Sequence, residues 1–137
     1  MTCQLSVLSQ EITMPKIDSL LNELQSPDDP DHHLTIISDC VKYSVFTNVD
    51  TAEYFSRLYV QVAAGYNDSL EMARGENFLG MVAFSQGHNE VAIEHYLNAI
   101  PAFEKAEDLQ MVGILRNNVA AAYGYRRKHE ETIEQYR

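Results

Sequence analysis

Two stretches of the chain repeat one another forty residues apart, and few folds accommodate such a period. Leu79, Gly80, Ala83, Gly87, Ala92 and Tyr96 mark small and apolar positions in the first stretch. Val119, Ala120, Tyr123, Arg127, Thr132 and Tyr136 take the corresponding places in the second. A fixed period in this range is the mark of stacked helix pairs, each burying its apolar face against the next. Such arrays mostly bind other chains, so the period points to an interaction module and not to a catalyst.

The chain is long enough for this reading. Its 137 residues make one ordinary domain with a real core, and 45% hydrophobic against 22% charged residues is a globular composition. Twenty acidic side chains outweigh ten basic ones, giving a net charge of −10. That balance argues against a nucleic-acid surface, which needs a clustered positive footprint, and against adhesion to an anionic membrane. No stretch is long and apolar enough to span a bilayer. The two cysteines, Cys3 and Cys40, are too few for the disulfide framework of a small secreted domain, which favours a reduced, cytoplasmic setting.

Strand signals are nearly absent, whereas helix signals recur along the whole sequence. Pro15, preceded by Thr13, suits the first turn of a helix whose apolar face carries Ile17, Leu20, Leu21 and Leu24. The run Ser26-Pro27-Asp28-Asp29-Pro30-Asp31 ends it, and Asp31 offers a cap to the next helix. Six further helices are expected at 32–46, 50–66, 69–86, 89–106, 109–126 and from 129 onward. Asn48, Asp68, Asn89 and Asp108 stand where caps are wanted. Links this short join antiparallel neighbours. The expected fold is therefore all-α: a solenoid of antiparallel helix hairpins with about three repeats plus an N-terminal helix. Residues 1–31 would form that helix and its connector, a cap on the stack, and 32–137 the repeat domain.

Residues 77–100 carry a more specific pattern. Leu79-Gly80, Ala83, Gly87, Ala92, Tyr96 and Ala99 supply in order a large apolar residue before a glycine, a small residue, a turn glycine, an alanine, an aromatic and another alanine. This stretch resembles a tetratricopeptide repeat. A second copy at 114–136 replaces the turn glycine with Arg127 and the alanine with Thr132, and residues 33–72 read as a degenerate first copy. The usual period of that family is about 34 residues. A spacing of forty resembles its extended variety, found in scaffolds and in the regulatory parts of bacterial signalling proteins. The sequence stops inside the second helix of the third pair, so the last repeat is expected to be incomplete, the chain to be a fragment of a longer protein, and Ile133 and Tyr136 to be uncovered. An uncovered apolar end would also favour a homodimer.

The resemblance implies a concave groove lined by the first helix of each pair. It places Arg74, Asn77, Phe78, Met81, Phe84 and Ser85 there from the second pair, and Ile114, Asn117, Asn118, Ala121, Gly124 and Tyr125 from the third. The first pair would add Leu34, Ile37, Ser38, Val41 and Val45. Asn118 matches a position at which the family often holds a bound peptide's backbone. Arg74, Asn77, Met81, Phe84, Asn117, Asn118, Ala121 and Tyr125 are the residues expected to meet a partner. With Arg74 the chief cation on this face, recognition of an acidic C-terminus is disfavoured.

The five histidines lack zinc-site spacing, and Asp28, Asp29 and Asp31 lack the glycine and glutamate of a calcium loop. No nucleophile motif or phosphate-cradling loop is present. Neither a cofactor nor an enzymatic activity is expected. The expected function is protein or peptide binding in the regulatory region of a larger signalling protein. The alternatives are a self-associating scaffold and a receptor for a small peptide ligand.

Overall fold

The computed structural model describes Asn22 and residues 29–136. Five helices follow one another: α1 (Pro30–Ser44), α2 (Val49–Gly65), α3 (Ser69–Ser85), α4 (Asn89–Lys105) and α5 (Leu109–Gln135). The described residues contain no strand. Each helix packs against the one before it and the one after it. With connectors of three or four residues, neighbours run antiparallel. The fold is all-α, in the solenoid-like helical-repeat arrangement that the periodicity predicts. Pro15, Ile17, Leu20, Leu21 and Leu24 of the expected N-terminal helix lie outside the described residues.

The residues that open α2 to α5 are Asn48, Asp68, His88 and Asp108, so the unit of repetition is one helix and twenty residues, two to each forty-residue period. Three of the connectors share one geometry. Asn67, Gly87 and Glu107 adopt φ of 56°, 79° and 57°, the left-handed region. In each case the amide one residue later donates back to a buried carbonyl five residues earlier: Asp68 to Ala63, His88 to Ala83 and Asp108 to Phe103. This closes the preceding helix and reverses the chain within three residues. The helix starts are then held by side chains. Asp68 accepts from the amides of Leu70 and Glu71, both at 3.0 Å, and Asp108 from Met111 at 3.1 Å. Two expected caps move: Asp29, not Asp31, caps α1, and Asn89 is the first residue of α4, whose cap position His88 makes no side-chain bond.

The largest departure from expectation is at α5. The break expected between 126 and 129 is absent, and one helix of 27 residues runs from Leu109 to Gln135. The reason is visible in the other turns. Asn67-Asp68 combines a residue tolerant of positive φ with a cap; Gly87 supplies the first alone and Asp108 the second alone. Arg127-Lys128 supplies neither, since an ordinary side chain costs about 1–2 kcal/mol in the left-handed region and an ammonium has no acceptor. Instead Arg126 and Arg127 lie 3.8 Å and 3.6 Å from Glu130 and Glu131 one turn on, pairs that favour continuing the helix. Ile133 is 46% and Tyr136 89% exposed, as expected.

Packing explains the small residues. Leu34, Ile37 and Val41 of α1 meet Phe55, Tyr59 and Ala63 of α2 and Phe78 of α3. Ala73 and Ala83 of α3 meet Ala92, Tyr96, Ala99 and Phe103 of α4, with Val112 and Leu115 of α5. A Cβ added at Gly80 would lie 2.5 Å from Tyr96 Cε1, and one at Gly75 would lie 2.5 Å from Val60 Cγ2. The two glycines let α4 and α2 approach opposite sides of α3. Each large apolar side chain buried in this way contributes about 1.5–3 kcal/mol.

Candidate functional site

The odd-numbered helices share one face of the stack, and a cavity of about 580 Å³ opens between them. Asp31, Leu34, Thr35, Ser38 and Lys42 form the α1 wall, and Glu71, Arg74, Asn77 and Phe78 the α3 wall. On both helices these positions recur at threes and fours, the spacing that brings side chains onto one face. Met111 closes the α5 end, and Tyr59 reaches in from α2.

Polar groups dominate the α3 wall. Tyr59 donates its phenol hydrogen to Glu71 Oε2, while Glu71 Oε1 lies 3.2 Å from Arg74 Nε. The Arg74 guanidinium also sits 5.9 Å from the centre of the Phe103 ring. Tyr59 is held rigidly, 3% exposed and edge-on to Phe78 at 5.1 Å between ring centres. Burial, followed by the hydrogen bond and charge of Glu71, pushes its phenol well above the usual tyrosine range. It therefore stays a donor at any ordinary pH. One turn along, Asn77 Oδ1 is buried without a hydrogen-bond partner. Arg74 Nε is likewise buried, and its approach to Glu71 is an ion pair without hydrogen-bond alignment.

Arg74 and Asn77 are thus the two expected partner-facing residues that the structure brings into this cavity. Met81 packs against all three core clusters and ties them together. Phe84 sits edge-on to Tyr125, 5.3 Å between ring centres, which joins α3 to α5. Ala121 and Tyr125 line a shallow hollow of about 210 Å³ with Gly124 and Lys128, further along α5. Asn117 is exposed and Asn118 half-buried, and neither borders the cavity. Of the expected α1 residues, Leu34 and Ser38 line it, while Ile37, Val41 and Val45 are buried in the core.

Sequence reasoning missed Tyr59, Glu71, Lys42, Thr35, Asp31 and Met111. The spacing could have found Thr35 and Lys42 beside Ser38, and Glu71 one turn before Arg74. Nothing in the sequence marks Tyr59, because it belongs to a helix of the other layer.

Among the described residues no helix is long and apolar enough to cross a membrane, and no group of three histidine, cysteine or acidic residues could hold a metal ion. Comparison with protein-family models, with characterised proteins and with solved structures found no match to the chain.

Proposed function

We propose that this chain is a tetratricopeptide-like module that binds a protein or peptide segment in the groove between α1, α3 and α5. The observation that carries this reading is the pair of polar side chains set one turn apart on the α3 wall of the cavity, Arg74, 43% exposed at the side chain, and Asn77, half-buried. A main chain laid along the groove would meet the exposed part of the Arg74 guanidinium and the Asn77 amide, each such hydrogen bond being worth about 1 kcal/mol. The Asn77 amide donates and accepts at once, which suits a peptide N–H and C=O, and the Arg74 guanidinium has further N–H groups that can donate to a peptide C=O. Arg74 and Asn77 are three residues apart on one helix, a separation of about 5–6 Å between Cβ atoms that suits the N–H and C=O of an extended segment. The resemblance in residues 77–100 supports the regulatory region of a signalling protein as the setting of this function, and the low cysteine count supports a cytoplasmic one.

The test uses peptides selected from a random display library on the immobilised chain. Asn77→Ala should weaken binding about fivefold, the equivalent of one neutral hydrogen bond of about 1 kcal/mol. Asn117→Ala, on the exposed side of α5, should leave it unchanged. Equal loss in both variants, or loss in neither, would count against the groove.

A further inference from the structure

We propose that Tyr59 and Glu71 together form the charge filter of this groove: they hold the Arg74 guanidinium as a neutralised pair, so that the groove admits segments without acidic side chains and turns acidic ones away. The proposal deepens the peptide-binding reading of the same groove, but its test does not need the peptide.

The two oxygens of one carboxylate are divided between two partners. Oε2 of Glu71 takes the Tyr59 hydrogen bond, and Oε1 faces Arg74 at 3.2 Å. A glutamate on a helix surface would otherwise swing into solvent, because an exposed ion pair between neighbouring turns is worth only a few tenths of a kcal/mol. The anchor prevents that. Tyr59 is buried, its ring is fixed against Phe78, and it belongs to a different helix, so its hydroxyl is a stationary donor. Glu71 is itself only 23% exposed at the side chain, against 43% for Arg74. The cation therefore carries its counter-charge into the groove.

The rest of the lining agrees in sign. Lys42 on the facing wall lies 3.7 Å from Asp39, and Asp31 adds a carboxylate at the rim. Each cation of the groove thus stands beside an acid, and the whole chain carries −10. An incoming carboxylate or phosphate would meet Arg74 already paired with Glu71 and an overall repulsive field. A neutral main chain meets the same guanidinium as a hydrogen-bond donor without that penalty.

The probe is inorganic phosphate, titrated while amide resonances of the α1 and α3 walls are followed. The wild-type chain should show no saturable shift. Glu71→Gln should bind at least tenfold tighter, with an affinity that falls as salt is raised. Tyr59→Phe, which keeps the ring and removes only the anchor, should give an intermediate gain. Circular dichroism would confirm that each variant is folded, and Glu71→Ala provides a second substitution should Glu71→Gln fold poorly. Phosphate binding by the wild type equal to that of Glu71→Gln, or no gain in any variant, would overturn the filter. Failure of selected peptides to engage Asn77 would overturn the peptide reading and leave this phosphate result standing.

Discussion

At Gly80 one missing methyl group decides whether two helices can meet. A Cβ there would fall 2.5 Å from Tyr96 Cε1 and 2.7 Å from Cδ1, on a ring that is 2% exposed and has nowhere to move. Gly80→Leu should therefore cost about 1–3 kcal/mol in urea denaturation. An unchanged midpoint would mean that α3 and α4 do not pack in this register. Tyr96 offers a second check, since burial pushes its phenol up to about 12. A folded-state value above the unfolded value of about 10 leaves stability flat below pH 10 and lowers it as the pH rises. The slope should be about 1.4 kcal/mol per pH unit for each such tyrosine, persisting to about pH 12 for Tyr96. Tyr59 adds a second contribution of the same sign. Tyr96→Phe should remove one tyrosine's share of the alkaline slope and leave stability near neutral pH little changed; an identical slope would contradict the burial of the phenol. The close approach at Gly80 was legible in the sequence from Gly80 and Tyr96 alone, because glycine inside a helix costs about 1 kcal/mol relative to alanine and demands a packing reason. The equivalent role of Gly75 beneath Val60 was not, since no aromatic or repeat position marks it.

At the scale of the element, helices are set by their ends. Helix α3 begins where Asp68 accepts two amides and ends where Gly87 takes a positive φ, and both signals are plain in the sequence. Glu107 carries no such signal and reaches φ 57° because Asp108, the next residue, is fixed by its bond to the Met111 amide. Forty-residue self-similarity places a turn at Arg127 by analogy with Gly87, yet the chemistry of Arg127 and Lys128 speaks against it. Similarity of the flanking helices, Val119 to Tyr123 and Thr132 to Tyr136, masks two residues that decide the turn locally. The double variant Arg127→Gly, Lys128→Asp restores both missing features. It should break α5, with helical carbon chemical shifts lost at 126–128 and retained at 112–122. Helical shifts that continue unbroken through 127 would show that α5 is held straight by something other than its turn chemistry.

On the scale of the whole molecule, regular stacking at twenty residues per helix sorts α1, α3 and α5 onto one face, and the groove arises from that sorting. Periodicity gave the stacking, and the resemblance implied the groove face and with it the α3 wall of Arg74 and Asn77. The floor could not. Tyr59 reaches Glu71 only because Gly75 lets α2 lie close against α3, a Cβ there falling 3.3 Å from Tyr59 Cδ1. Resemblance to the repeat family puts Asn117 and Asn118 in the groove; of α5, Met111 borders the cavity, while Asn117 is exposed and Asn118 half-buried. The claim on which the account rests is that this face, and not the exposed side of α2 and α4, receives the partner. Amide chemical-shift mapping during titration with a library-selected peptide tests it most directly. The account predicts the largest shifts at Thr35, Ser38, Arg74, Asn77, Phe78 and Met111. Shifts confined to Tyr54, Glu94 and Leu97, with a silent groove, would contradict it.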